Sequence, residues 1–394
     1  MKILYVQILK GIRDFLWGLV EAGYDVSEVE CPEMDPNFES GEGLKIIAQA
    51  LDENDFDMVV AQAFLPGVSD LCEERGIYFL SWTYDSPLTA FYCESLKNQH
   101  NITFAFDKRE AEGLSARGGA NVYHMPLACN LSRVGALEIV EGDEEKYGAE
   151  VSFVGSLYSE NFYDLVIAQL PDAERDELKM TLFPQVCNYH KEKVWPRISD
   201  KLFDALEDVI ANNFFRSFDM DLKTYIGLNI YVHKLAQVDR VTALNALAAH
   251  FDTSLFTNKG SEYLTNVRVR PFVDYYSEMS KVFYLSRINL NLTNPSIRTG
   301  IPQRIFDVMG CGGFMLTNYQ PEIEEQFEIG KEIEVFYDVD DLIKKTEYYL
   351  GHERERLEIS LNGYKAIRDR HSMAGRVGRI MEIAQSVIKG NSEE

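Results

Sequence analysis

Five residues in one short stretch, RTGIPQRIFD, could do chemistry together: Arg298, Thr299, Gly300, Arg304 and Asp307. A glycine ahead of a helix lets a ligand approach the backbone. The free N–H groups and the dipole of the helix start attract an anion. Pro302 suits the first helical position, because its missing N–H would be unpaired there anyway, with Thr299 or Gly300 as the cap. Arg298 and Arg304 can clamp phosphate oxygens bidentately. Asp307, five residues beyond Pro302, can accept from the ribose hydroxyls of a nucleotide whose diphosphate rests on the helix start. It can equally be a surface helix residue paired with Arg304. Charge favours the anion: Leu264 to Phe306 carries six Lys and Arg against Asp274 and Glu278, a local +4 in a chain of net charge −24.

The same net charge excludes other classes. So acidic a chain lacks the cations that neutralise nucleic-acid phosphates or dock on anionic lipid. No apolar run approaches the roughly 20 residues of a membrane span. MKILYVQILKG has no cleavage pattern and reads as a buried first strand, so a cytoplasmic protein is expected. Cys31, Cys72, Cys93, Cys129, Cys187 and Cys311 form no CxxC pair, and the seven histidines show no HxxxH or HExxH spacing. Reduced thiols and no metal site are expected. DMD (219–221) and DVD (338–340) read as chance tripeptides among 63 acidic residues, with Asp338 or Asp340 as an N-cap.

The elements that must position these residues follow from periodicity. With 394 residues, 46% hydrophobic and 26% charged, the chain suits two globular domains. KILYVQIL, DVSEVE, FDMVVAQAF, IYFLSW, ITFAF and NVYHMPLA read as strands alternating with helices, which argues for a parallel sheet covered on both faces. EGDEEKYGAE reads as a linker. VSFVGSLY, TSLFT, VRVRPF, INLNLT, GFMLTN and IEVFYD then form a second series. Ser156 to Ile226 lacks glycine and has helical spacing, so a helical insertion at 159–234 is expected. The fold class is α/β: two doubly wound Rossmann-like domains, 1–146 and 147–372, and a tail helix at 373–394. They face each other across a crevice, with the ligand at the carboxyl ends of both sheets.

RIFDVMGCGG, followed by an apolar strand and an acidic loop, resembles the R-x-F-E/D-x-M-x-C-G-G pattern of CgeB-like (spore-maturation type) glycosyltransferases. These are relatives of glycosyltransferase family 4, with the GT-B fold. The resemblance runs from Val151 to Arg376 and is strongest from Asn289 to Leu350. In the first half it extends to DFDMVVAQ and WTYDSP. It implies a hexosyl-type enzyme without metal or cofactor, binding a nucleotide-sugar donor, UDP-linked, mainly in the second domain. Asp307 matches the acidic position that contacts the donor ribose. The glutamate these enzymes often carry eight residues earlier is Thr299 here, a departure at the donor sugar. Gly155 matches the turn where backbone meets donor, and is otherwise an ordinary turn glycine. Lys10 and Gly11 match the acceptor-side loop ending the first strand. Asp85 is the candidate base for the acceptor's proton, or else a cap before Pro87. His124 reads as a packed or crevice-wall histidine. The tail helix is implied to cross back to the first domain. A soluble acceptor, such as a bacterial surface protein, fits the lack of a basic membrane patch. The alternatives are a nucleotide-sugar-binding scaffold without transfer activity and a sugar-nucleotide epimerase or hydrolase.

Overall fold

The apolar runs become strands that pair in parallel. In the first half these are β1 (Lys2–Gln7), β2 (Asp25–Glu30), β3 (Met58–Ala61), β4 (Tyr78–Thr83), β5 (Asn101–Ala105) and β6 (Val122–His124). They form one sheet in the order β2-β1-β3-β4-β5-β6. β3 and β5 are buried along their whole length, as strands covered on both faces must be. DVSEVE, with its alternating charges, takes the edge. The structure, a computed structural model, describes residues 1–8, 13–31, 41–190, 197–213 and 220–392.

The second sheet contains β7 (Val151–Val154), β8 (Thr253–Phe256), β9 (Arg268–Arg270), β10 (Ile288–Asn291), β11 (Met315–Asn318) and β12 (Glu334–Phe336). Its order is β12-β11-β10-β7-β8-β9, so the winding reverses between β7 and β10. That switch point leaves a crevice at the strands' carboxyl ends. Between β7 and β8 lie helices Phe162–Ile167, Asp172–Leu182, Asp200–Asn213 and Leu222–Ile226. They share a core of their own that includes Leu178, Leu202, Leu206 and Leu235. The last of these residues belongs to helix Val232–Ala248, which carries the insertion back to the sheet.

Two details differ from expectation. The acidic linker contains a short helix, Asp143–Tyr147, docked on the second domain: Lys281 pairs with Asp143 at 2.7 Å, and the Tyr147 hydroxyl donates to Glu278 at 2.7 Å. The helix in RTGIPQRIFD runs from Gln303 to Gly310. Pro302 precedes it as the N-cap, with extended backbone (ψ 153°), so neither Thr299 nor Gly300 is the cap.

The two domains meet closely at the end of that helix. A Cβ on Gly310 would lie 2.3 Å from the Cys129 sulfur, so a side chain there would push the domains apart. Beyond it the chain returns to the first domain. Cys129 N–H donates to His371 C=O at 3.0 Å, and Met373 N–H donates to Cys129 C=O at 2.8 Å. Helix Met373–Ser392 then lies against helix Asp14–Glu21.

Candidate functional site

The backbone N–H groups that could seat a phosphate hold a carboxylate of the other domain. Arg298, Thr299 and Gly300 N–H all donate to Asp107 Oδ2, at 2.7, 2.8 and 3.0 Å. The Thr299 hydroxyl donates to Glu322 Oε1 at 2.7 Å, which also accepts from Lys108 N–H at 2.8 Å. The other oxygen of Glu322 lies 2.8 Å from His124 Nε2. Asp107 also caps helix Lys108–Ala116, accepting from Glu110 N–H at 3.1 Å. Gly300 is required because a Cβ there would sit 3.0 Å from Asp107 Cα and the Phe106 ring. Thr299 and Gly300 are therefore placed at a domain contact. A carboxylate satisfies the same N–H groups that a phosphate would. Replacing Asp107 with Ala removes both the cap and the junction, and is expected to destabilise the fold by about 2–4 kcal/mol in denaturant titration. Loss of less than about 0.5 kcal/mol would show the junction to be idle.

Asp307 lies in a second junction. It is 2% exposed. Its Oδ1 accepts from Arg133 Nη2 at 2.9 Å and from Gln303 Nε2 at 3.0 Å. Arg133 also reaches Asp14, through Nε and Nη2 at 3.2 Å each, and the Tyr275 hydroxyl at 2.9 Å. Asn130 donates to Asp14 at 3.0 Å. Burial opposes the Arg133 charge, but Asp307, Tyr275 and Asp14 together raise its pKa. Burial also raises the pKa of Asp14, against the attraction of Arg133. Asp307 thus faces the first domain and lines neither cavity described next.

A cavity of about 270 Å³ opens beyond β10 and β11, lined by Thr293, Asn318 and Tyr319 and by Tyr189 and His190 of the insertion. His190 stacks on Tyr337 with ring centroids 5.2 Å apart. A larger cavity of about 500 Å³ lies between the first domain and the insertion. Ser86, Tyr92, Glu110 and Arg117 line one side, and Lys223 and Tyr231 the other. The two cavities share Pro295 and Arg298. Arg298 is the residue of the opening motif that the fold brings to both.

The rest of the positive island disperses. Arg268 pairs with Asp252 at 3.2 Å, Lys281 with Asp143, and Arg287 with Glu150 at 3.4 Å. Arg270 donates to the carbonyls of Glu145 and Lys146. Arg304 packs 5.2 Å from the Phe283 ring, with Nη1 against the Met279 sulfur, and burial lowers its pKa. It is not among the side chains lining either cavity. A local charge count cannot see partners supplied by distant segments.

Arg240 marks the switch point, and sequence reasoning passed over it. It donates to Ser156 C=O at 2.6 Å and Leu292 C=O at 2.9 Å, joining the chain after β7 to the chain after β10. Its guanidinium lies 4.7 Å from the Tyr158 ring. Gly155 sits beside it: a Cβ there would be 3.9 Å from Arg240 Nη1. Nothing in the ordinary helical run VHKLAQVDRVTALNALA singles Arg240 out.

Glu110 was also missed. Burial pushes its carboxyl up to about 8, against the Leu88 N–H it accepts at 2.9 Å and a Ser86 hydrogen bond, with Asp107 and Asp85 adding to the rise. Its Oε2 has no partner among the described residues. Folding therefore gains a proton between the ordinary 4.5 and about 8. The associated stability is complete below the lower value and lost as pH rises through the upper one. Glu110→Gln removes this dependence. The melting temperature of the variant relative to the parent should rise from pH 5 to pH 9, and a flat difference would mean the carboxyl is ionised throughout.

Asp85 is exposed just past β4, next to cavity-lining Ser86. Lys10, Gly11 and Asp219 lie outside the described residues. Asp221 and Asp338 are N-caps, accepting from Thr224 N–H at 3.0 Å and Asp341 N–H at 2.8 Å. Among the described residues no helix is long and apolar enough to cross a membrane.

Residues 240–382 match the family described as Glycosyl transferase-like. No curated protein matches the chain. Among solved structures, the chain is similar to HepE of Anabaena in complex with UDP, at 12% identity and TM-score 0.53, covering 98% of this chain and 100% of that one. The UDP-glucose complex of HepE gives 11% identity and TM-score 0.52, with the same coverage. Sucrose-phosphate synthase of Thermosynechococcus elongatus gives 10% identity and TM-score 0.52, covering 99% and 100%. At such identities the likeness shows the fold, and the fold is GT-B.

Proposed function

We propose that this chain is a glycosyltransferase that moves a hexosyl group from a UDP-linked donor to an acceptor hydroxyl. The observation that carries this reading is the pair of cavities meeting at Arg298, between two doubly wound domains. The smaller cavity, at the carboxyl ends of the second sheet, suits the nucleotide. The larger, facing the first domain, suits the acceptor. UDP is the nucleotide of choice because HepE, which shares the fold, is seen with UDP and UDP-glucose.

In the reaction, the bond from the anomeric carbon to the diphosphate breaks and a bond to the acceptor oxygen forms. Negative charge grows on the departing diphosphate, where the Arg298 guanidinium stabilises it. Asp85, beside the acceptor wall, takes the acceptor's proton. Arg240 and Gly155 shape the donor side at the switch point. Asp307 is assigned to the domain junction, since a ribose could reach it only after Arg133 let go. No metal or cofactor is invoked. The acceptor is soluble, because a net charge of −24 disfavours an anionic membrane, and the reaction is placed in the cytoplasm as part of the same proposal. A bacterial surface protein is one such acceptor.

UDP should raise the melting temperature, and UDP-sugars should release UDP faster when an acceptor is present. Absence of both effects with every common donor would overturn the reading. Donor consumption indifferent to acceptor would point to a hydrolase or epimerase.

A further inference from the structure

We infer that the acceptor carries a compact anionic group, phosphate or carboxylate, bound between Arg117 and Lys223 in the larger cavity. The inference deepens the proposed function and rests on it for the word acceptor. The site itself stands on separate observations.

The first is an imbalance of charge. Arg109, Arg117, Lys223 and Arg298 all line this cavity, and among the described residues Glu110 is its one acidic lining residue. Such clustering is unexpected in a chain of net charge −24 unless something anionic enters. The nearby carboxylate of Asp221 is engaged by Thr224, whose hydroxyl donates to it at 2.6 Å.

The second is that two of these cations have no acid partner among the described residues. Arg109 pairs with Glu112 at 3.3 Å. Among the described residues neither Arg117 nor Lys223 pairs with any carboxylate. Arg117 is instead held over the Tyr92 ring, 3.9 Å from its centroid. That stacking fixes the guanidinium plane while leaving its donors unused, as a bidentate anion site requires.

The third is placement. Arg117 ends a helix of the first domain and Lys223 begins one of the insertion. Neither lines the smaller cavity, whereas Arg298 lines both. The donor's diphosphate belongs at the shared wall with Arg298. Arg117 and Lys223 are left for a second anion on the acceptor side.

The test uses the full chain saturated with UDP and three probes: glucose, glucose 6-phosphate and glucuronate, with binding read by calorimetry. At least one anionic probe should bind at least about tenfold tighter than glucose, with affinity falling as salt rises. The two anionic arms distinguish phosphate from carboxylate. Arg117→Gln with Lys223→Gln should abolish that preference while leaving UDP affinity unchanged and lowering the melting temperature only slightly, through the lost stacking on Tyr92. Equal binding of all three probes, no binding of either anion, or a preference that survives the double substitution overturns the inference. Anion binding in a chain that never binds UDP would instead sink the proposed function and leave the anion site standing.

Discussion

Arg133→Met is expected to destabilise the fold by about 3–5 kcal/mol. Met keeps most of the length and apolar bulk of Arg, so the loss isolates the charge. Asp14 and Asp307 are 1% and 2% exposed, and Arg133 stands between them with one guanidinium reaching both. Without it, two carboxylates share a dry site. Burial already raises the Asp14 carboxyl against the pull of Arg133, and removing that cation raises it further, so the variant should be most stable in acid and weaken as pH climbs through the raised Asp14 value. The parent, with the cation in place, should show a gentler decline. Arg133→Lys keeps the charge but not the fork that spans two acids, and should fall between. Arg133→Met combined with Asp307→Asn should recover part of the loss, a coupling that a double-mutant cycle measures. A loss below about 1 kcal/mol would mean that the junction stands open in solution. Asp307 would then be accessible to a ribose, and its assignment here would be reversed.

The same cluster shows what the amino-acid order reveals and what it conceals. The strands were legible because buried parallel strands write themselves as short apolar runs, and each run named in the sequence became one strand of the two sheets. Helices Gly41–Glu53 and Glu353–Arg370 were passed over. The second is dense in charge, and buries Ile359, Gly363 and Ile367 on a face that the surrounding Glu and Arg disguise. The helix in RTGIPQRIFD was visible from Pro302, but the partner of the N–H groups before it was not. Asp107 followed three residues later by Glu110 is a legible capping signal. That the same carboxylate also binds three N–H groups some 190 residues away follows only from the tertiary fold. Arg298 was picked out by its position before a helix start and lies in the lining of both cavities, whereas the positive island invoked beside it dispersed into separate pairings.

Arg298→Ala is expected to lower kcat by about a hundredfold to a thousandfold while leaving the fold intact. The separation comes from how the residue is used. Its backbone N–H binds Asp107 at 2.7 Å and survives any substitution, so the junction persists. Its side chain lines both cavities, where the bond from sugar to diphosphate breaks in the proposed reaction. Charge on the diphosphate grows during that step, so the guanidinium acts more strongly on the transition state than on bound donor. The variant should therefore lose more in kcat than in affinity for UDP, and its melting temperature should stay near that of the parent. Arg298→Lys should restore part of the rate, since a point charge remains without the bidentate geometry. Steady-state UDP release reads the rates, with UDP binding and thermal melting measured separately. If kcat were unchanged while UDP affinity fell, Arg298 would merely bind the donor, and the leaving group would depend on another cation. Arg240, which joins the two loops at the switch point, would be the next to substitute.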